Sequence, residues 1–235
     1  MAGRALRSSR SCAVKSVTKA VIFDWRGTLV TTLTESEWVE QALLAIGRHA
    51  SPSTVGRTVS AIATANGEQD RLDGPGVDSD AALHRKTYMS VFADAGLDPA
   101  LAESLYGVES DPRHNPFALD VPETLESLHQ RGVRIAVASD VHFDLRPAFH
   151  AAGLEGLVDV FTLSFEQGVQ KPNPLVFRRT LDALGVSPED AVMVGDRSPH
   201  DGAAVESGIT TLLLPPLRSI RDRRLHKVLS LCGGL

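Results

Sequence analysis

Short runs of apolar residues recur along the chain and end at a turn or at a polar residue, which is the pattern of buried β-strands. The first run begins at Val21, ends in the carboxylate of Asp24 and passes into a predicted turn at Gly27 and Thr28. In an open α/β sheet, ligands bind at the carboxyl ends of the strands. The hydrophobic pattern therefore places Asp24 where a functional residue is expected.

A helical pattern follows the first strand. Hydroxyl residues and then acids in residues 31–37 are typical of a helix start. Apolar residues recur at helical spacing over residues 53–65 and 81–95, and the Gly-, Asp- and Pro-rich residues 66–80 predict a loop between them. The sequence thus predicts an all-helical segment over residues 31–115.

Strands and helices alternate in the remainder of the chain. Four further strands are predicted, at residues 133–138, 158–163, 191–194 and 209–214. Helices are predicted between them, including one over residues 200–207, and a final helix over residues 218–231. Such alternation is typical of βαβ units and a parallel sheet. We therefore predict an α/β core of residues 19–30 and 116–235, with the helical segment inserted after its first strand and a disordered basic leader of residues 1–18.

The composition is that of an ordinary globular protein, with 235 residues and 43% hydrophobic residues. The net charge of −5 gives no reason to expect nucleic-acid binding. Cys12 and Cys232 lie near opposite ends, so neither a disulfide framework nor a Cys-His zinc site is expected. The leader is rich in Arg and Ser and superficially resembles a transit peptide, but we interpret it as disordered. Without a long apolar segment, we expect a cytoplasmic protein with no membrane partner.

Polar residues follow the predicted strands at the point where each one ends. These residues are Asp24, Ser139, Lys171 and Asp196, with Asp201 in the same turn as Asp196. The carboxyl ends of parallel strands meet at one edge of a sheet, so residues far apart in sequence can converge there. Carboxylates with a hydroxyl and a lysine are suited to bind Mg²⁺ and a phosphate group.

The order of these residues resembles the four motifs of the haloacid dehalogenase-like (HAD) hydrolases. The segments that carry the resemblance are Asp24 with Gly27-Thr28, then Ser139, then Gln170-Lys171-Pro172, and finally residues 195–203 with the sequence GDRSPHDGA. The resemblance spans residues 19–214. It implies a Rossmannoid core, in which helices flank a parallel sheet, with residues 31–115 as a helical cap that closes over the site and selects the substrate.

The resemblance also implies a metal site. In that family the first motif Asp is a covalent nucleophile, which is Asp24 here, and the implied reaction is Mg²⁺-dependent hydrolysis of a small phosphate monoester through an aspartyl-phosphate. Asp24, the backbone carbonyl of Arg26, Asp196 and Asp201 would then be the metal ligands, with Asp201 as a direct ligand or a neighbour of one.

A phosphate site is implied as well. Ser139 would hydrogen-bond the transferred phosphoryl group, with Thr28 beside it. Lys171 would hold Asp24 and the phosphate together, so that Asp24 and Lys171 are the implied catalytic residues. Arg26 is a further candidate phosphate ligand, because guanidinium pairs well with phosphate.

The sequence departs from the family pattern at Arg26, where HAD phosphatases carry a second Asp that acts as general acid and base. A guanidinium remains protonated and cannot serve as a base. Positioned acid–base groups contribute about 10²–10⁴-fold in rate, so this change is expected to be severe. A slow phosphatase would need another group to activate the water, and the sequence offers Glu35, Glu37, His142 and His200.

Three alternatives remain open at the level of sequence. Haloacid dehalogenases also lack the second Asp, but they work without metal, and Asp196 argues against that reaction. Phosphonatases use a cap lysine, and Lys86 is the one lysine between residues 20 and 170. In a non-enzymatic protein that binds a phospho-ligand or a protein, Arg26 would bind the anion or replace the metal by pairing with Asp24 or Asp196.

Overall fold

The computed structural model describes residues 18–233. The predicted leader lies almost wholly outside these residues. Five parallel strands form a sheet in the order β3-β2-β1-β4-β5. They are β1 (Ala20–Phe23), β2 (Arg134–Ser139), β3 (Val160–Leu163), β4 (Ala191–Gly195) and β5 (Thr210–Leu213). The predicted parallel sheet and its helical insertion are thus confirmed.

Nine α-helices accompany the sheet within residues 18–233. They are α1 (Glu35–Ala45), α2 (Pro52–Asn66), α3 (Ala81–Asp94), α4 (Pro99–Glu109), α5 (Val121–Gln130), α6 (Arg146–Ala151), α7 (Ser164–Gln167), α8 (Pro174–Leu184) and α9 (His226–Cys232). Short 3₁₀ helices lie at Arg71–Asp73, Val77–Ser79, Pro112–His114, Glu155–Leu157, Pro188–Asp190 and Gly202–Ser207. None of the helices in the described part of the chain is long and apolar enough to cross a membrane.

Strand β1 occupies the centre of the sheet and is buried on both faces. Val21 and Phe23 pack into the hydrophobic cluster on one face, and Ala20 and Ile22 pack into the cluster on the other. This explains why the strand is a continuous apolar run, since parallel sheets covered by helices on both sides require apolar residues at every position. The central strand therefore carries Asp24 to the middle of the sheet edge.

The helices between β1 and β2 have a hydrophobic cluster of their own. Its fully buried members lie between Val39 and Val108 and come from α1 to α4. The predicted helix start is present, because Thr34 caps α1 in a reciprocal pair of hydrogen bonds with Glu37. Separation of the two clusters is consistent with the division into core and cap, whose exact boundaries stay a prediction.

Two predicted helices differ from the structure. Residues 200–207 form the 3₁₀ helix Gly202–Ser207 instead of an α-helix. The predicted final helix over residues 218–231 is reduced to α9. Before α9, carboxylates take up the backbone N–H groups, because Asp222 accepts from Ser219 N at 3.0 Å and Asp120 accepts from Leu225 N at 2.9 Å. Side chains that bind the backbone in this way compete with helix formation.

Candidate active site

The candidate site lies at the carboxyl ends of β1 and β4. These neighbouring strands mark the point where the strand order reverses, and such a point forms a crevice at the sheet edge. Asp24 directly follows β1 and Asp196 directly follows β4. The Asp24 backbone N–H donates to the Val194 carbonyl at 2.9 Å, which continues the pairing of the two strands up to the site.

Asp201 is fixed by the turn that follows β4. Its Oδ2 accepts hydrogen bonds from the backbone N–H groups of Asp196 at 3.1 Å and Arg197 at 2.9 Å. The carboxylate is fully buried. A Cβ added to Gly195 would lie 2.2 Å from Asp201 Cγ, so glycine is required where this carboxylate folds back on the strand.

Lys171 joins the two buried carboxylates. Its Nζ lies 2.7 Å from Asp24 Oδ1 and 2.6 Å from Asp201 Oδ1, although 171 and 24 are far apart in sequence. The side chain is only 1% exposed. Burial alone would lower the pKa of Lys171, but the charges of Asp24 and Asp201 outweigh burial and raise that pKa above its ordinary value. Lys171 is therefore a fixed ammonium group.

Three carboxylates meet at this point. Asp24, Asp196 and Asp201 each offer an oxygen, and these oxygens lie within 4.8 Å of one another. Burial, reinforced by the charge of Asp201, raises the pKa of Asp24 to about 7 even though Lys171 opposes the rise. One lysine does not balance three carboxylates in a buried site. This excess of hard, negatively charged oxygen fits a divalent cation such as Mg²⁺.

Gly27 allows the loop after β1 to approach this cluster. The residue has a φ of +76°, and a Cβ there would lie 2.4 Å from Asp196 Oδ2. Thr28 is fully buried, with its Oγ1 3.3 Å from Asp24 Oδ2 and 3.4 Å from Asp196 Oδ1. The Gly-Thr pair in the sequence thus corresponds to a close approach of backbone and a hydroxyl beside two carboxylates.

The Arg26 guanidinium contacts the end of α4. Its guanidinium pairs with the Glu109 carboxylate through Nη1, and Nη2 donates to the Glu109 carbonyl at 2.7 Å. Among the described residues, its ion pair is with Glu109 and not with Asp24 or Asp196. The hypothesis that Arg26 replaces the metal by pairing with those residues is therefore wrong, because its guanidinium is bound by the carboxylate and the carbonyl of Glu109 at the end of α4.

A cavity of about 330 Å³ lies between the sheet edge and the helical segment. From the core side, Asp24, Ser139 and Lys171 reach this cavity, and Ser139 is a buried residue at the end of β2. The other lining residues are Arg26, Glu35, Asn66, Asp70, Leu72, Asp73, Asp78, Tyr88, Glu109, Asp140, Arg197 and His200. Eight of these twelve residues belong to the segment 31–115, and five of the eight are acidic.

The four candidate replacements for the acid–base group are placed differently. Glu35 lines the cavity but is exposed, and Glu37 is bound to the Thr34 cap. His142 is buried, with its ring stacked on another imidazole at 3.5 Å between centroids. His200 lines the cavity with both ring nitrogens bonded, Nδ1 to an Asp140 oxygen at 3.1 Å and Nε2 to a guanidinium. Lys86, the candidate cap lysine, is exposed on α3.

Sequence reasoning missed the acidic residues that the helical segment contributes. Asp73 pairs with Arg197 across the cavity, and Asp78 and Glu109 lie on the same wall. Asp73 and Asp78 come from the predicted loop at residues 66–80, whose high Asp content was the available signal. No signal in the sequence pointed to Glu109, which lies in the last turn of α4.

Comparisons with known proteins match the chain to one family of hydrolases. A family model described as haloacid dehalogenase-like hydrolase matches residues 18–208. The phosphoserine phosphatase of Thermus thermophilus is 31% identical over 140 residues, which are 56% of this chain and 55% of that protein. The chain spans about half the length of the curated relatives that it matches.

Solved structures share the fold. The HAD phosphatase from Thermococcus onnurineus has a TM-score of 0.61 at 24% identity, covering 92% of this chain and 98% of that one. The 2-haloacid dehalogenase from Pseudomonas syringae pv. Tomato has a TM-score of 0.59 at 23% identity, covering 92% and 99%. A phosphatase and a dehalogenase resemble the chain equally well, so the fold alone does not choose between the two reactions.

Proposed function

Because the chain belongs to the haloacid dehalogenase-like hydrolase family, we propose that it hydrolyses a small phosphate monoester with Asp24 as nucleophile and Mg²⁺ as cofactor. The observation that carries this proposal is the ammonium group of Lys171, which lies 2.7 Å from Asp24 and 2.6 Å from Asp201. It holds the nucleophile in place and provides positive charge where a phosphoryl group would bind.

The choice of phosphate over halide rests on the third carboxylate. Displacement of halide by Asp24 requires no cation, and additional carboxylates would only repel the leaving anion. Asp196 and Asp201 bring two further negative charges to Asp24, and a divalent cation balances them. Curated relatives named as phosphatases, such as the phosphoserine phosphatase of Thermus thermophilus, support the same choice.

Each residue of the site would have a distinct role in this reaction. Lys171 orients the Asp24 carboxylate through Oδ1, so that the other oxygen is available to attack phosphorus. The hydroxyls of Ser139 and Thr28 would donate to phosphoryl oxygens. Mg²⁺, held by Asp24, Asp196, Asp201 and the carbonyl of Arg26, would supply Lewis-acid stabilisation of the phosphoryl charge.

The helical segment would act as the cap in this mechanism. Contacts of Asp73 with Arg197 and of Glu109 with Arg26 join the segment to the core on two sides of the cavity. A closed cavity excludes bulk water, which strengthens the electrostatic contacts inside it. The cap residues that line the cavity would then choose the substrate among small phosphorylated molecules.

A second candidate function is the binding of a phosphorylated ligand without turnover. Arg26 favours it, because a guanidinium occupies the position from which related phosphatases protonate the leaving group. Under this alternative, phosphate binding depends on Lys171 and survives in the absence of any hydrolysis. Binding of inorganic phosphate measured by calorimetry, beside an activity assay, distinguishes the two functions.

The test is hydrolysis of p-nitrophenyl phosphate with and without Mg²⁺. Its leaving group departs readily, so the assay does not depend on a general acid. We expect Mg²⁺-dependent turnover that Asp24→Asn abolishes, whereas Asp182→Asn, which alters an exposed carboxylate on α8, has no effect. Inactive wild type that still binds phosphate would favour the second function.

A further variant tests whether an inactive wild type lacks only the acid–base step or has lost the catalytic site as a whole. Arg26→Asp is combined with Glu109→Gln, because Arg26 neutralises Glu109 and its removal would leave two carboxylates in contact. Activity that appears only in this double variant would assign the missing turnover to position 26 and favour the second function for the natural chain.

A further inference from the structure

The cavity contains more carboxylates than the phosphate chemistry requires. Besides Asp24, the described residues lining it include six: Glu35, Asp70, Asp73, Asp78, Glu109 and Asp140. An ester oxygen that leaves phosphorus as an alkoxide requires a proton, and a carboxylic acid is a suitable donor when it is protonated near the working pH. A carboxylate paired with a cation is held in its charged form and cannot supply that proton.

Three of these six carboxylates are bound to a partner in the structure. Glu109 pairs with Arg26, Asp73 pairs with Arg197, and Asp140 bonds to His200 and to the backbone N–H of Lys171. Glu35 and Asp70 are exposed, and Asp70 also accepts a hydrogen bond from Asn66 at 2.7 Å. Asp78 is different, since its side chain is only 19% exposed.

The core holds Asp78 in place even though the residue belongs to the helical segment. Its backbone N–H donates to Gln170 Oε1 at 3.0 Å, and its carbonyl accepts from Ser164 Oγ at 2.6 Å. Gln170 directly precedes Lys171, so the two sides of the cavity are connected within one residue of the fixed ammonium group. The Asp78 carboxyl is thus positioned by the same loop that positions Lys171.

The surroundings of Asp78 favour its neutral form. Its nearest basic group is His84 Nε2, 3.5 Å from Oδ1, and burial together with His142 lowers the pKa of His84 to about 2. His84 is therefore uncharged. Burial raises the pKa of Asp78 itself to about 7. The other charged or titratable groups that face it are Asp140, Arg26, Glu109, Asp73 and Tyr88, of which Arg26 alone lowers its pKa.

We propose that Asp78 is the general acid and base of this protein, acting from the cap in place of the position that Arg26 occupies. This inference rests on the proposed phosphatase activity. As Asp24 forms its bond to phosphorus, the bond from phosphorus to the ester oxygen breaks. Its electron pair stays on that oxygen, and the Asp78 carboxyl proton moves to it. Asp78 is left as a carboxylate, and the product alcohol leaves.

The second half of the reaction restores both groups. The Asp78 carboxylate takes a proton from a water molecule whose oxygen forms a bond to phosphorus. The bond between phosphorus and the Asp24 oxygen breaks, with its electron pair on Asp24. Inorganic phosphate is released, Asp24 is again a carboxylate, and Asp78 is again protonated. The charge on Arg26 stays unchanged throughout, which is consistent with its pairing to Glu109.

The test compares two esters of nearly the same shape, p-nitrophenyl phosphate and phenyl phosphate. Only the second has a leaving group basic enough to require a proton. For Asp78→Asn we expect kcat/KM, which reports the phosphoryl-transfer step and not hydrolysis of the aspartyl-phosphate, to fall by about 10²-fold or more with phenyl phosphate, and by less than about tenfold with p-nitrophenyl phosphate. The ratio of the two rates does not depend on the fraction of the variant that is folded, so misfolding cannot imitate this result.

One control variant and the wild type make the outcomes distinct. Asp182→Asn, on the exposed face of α8, leaves the ratio of the two rates as it is in the wild type. An Asp78→Asn variant whose kcat/KM falls equally for both esters, or for neither, overturns the inference while the proposed function stands. A wild-type protein that hydrolyses neither ester overturns the proposed function, and this inference with it.

Discussion

Replacing Lys171 by methionine is expected to destabilise the fold strongly, because it removes the one ammonium group among three carboxylates. Lys171 is 1% exposed and lies 2.7 Å from Asp24 and 2.6 Å from Asp201. Methionine fills similar space but leaves these negative charges uncompensated in a buried site. Removal of one partner from a buried ion pair costs about 3–5 kcal/mol. For a chain of this size, that loss lowers Tm by roughly 6–20 °C.

Urea denaturation followed by tryptophan fluorescence measures this loss, with Mg²⁺ removed so that no cation replaces the lysine. Lys227→Met is the matched control, since Lys227 is exposed and the same change there is expected to stay within about 0.5 kcal/mol. In a double-mutant cycle, Asp24→Asn should recover at least about 1 kcal/mol when Lys171 is absent. A Lys171→Met protein as stable as the Lys227→Met control would refute this account of the site.

Three further outcomes are expected. Glu109→Gln should lower the free energy of unfolding by about 1–3 kcal/mol, because it leaves the Arg26 guanidinium without its counter-charge. In the same urea titration, Glu103→Gln should lower it by less than about 1 kcal/mol, because the pair of Glu103 with Arg85 is exposed. Asp78 carries its proton in the folded state up to a pKa of about 7, compared with an ordinary value of 3.8, so its ionisation weakens the fold as pH rises between these values. The stability of Asp78→Asn relative to wild type should therefore increase from pH 4 to pH 8, by at most about 4 kcal/mol, and a constant difference would contradict this. Mg²⁺ should raise Tm with increasing concentration, and Asp196→Asn should reduce that rise; an equal rise in the variant would exclude Asp196 as a ligand.

The sequence was sufficient to predict residues that the sheet itself brings together. Asp24 and Asp196 each end a strand, so the parallel order of the strands determines that they meet. Ser139 ends β2 and could be assigned to the same edge by the same reasoning, whereas Lys171 lies beyond α7, eight residues after the end of β3. The roles of these residues stay a prediction, but the convergence of Asp24, Ser139 and Asp196 follows from strand direction alone.

Contacts between the helical segment and the core could not be predicted in this way. The pair of Arg26 and Glu109 joins residues 83 positions apart, and neither position belongs to a periodic pattern. The orientation of α4 decides this contact, and side-chain packing decides that orientation. For the same reason Asp78 could be assigned to a loop but not to the cavity. Local carboxylates such as Asp120 and Asp222 likewise displaced the predicted final helix by binding backbone groups.

The two walls of the cavity differ in their stability against local unfolding. Asp24 follows a strand with a hydrogen-bonded neighbour on each side, in the centre of the sheet, where amide hydrogens exchange only through global unfolding. Asp73 and Asp78 belong to short 3₁₀ turns, a class of structure that opens locally at little cost. On warming, we therefore expect the amide hydrogens of this acidic wall to exchange before those of β1 next to Asp24. The proposed activity is then expected to be lost at a lower temperature than the sheet, because the wall that the helical segment contributes opens first.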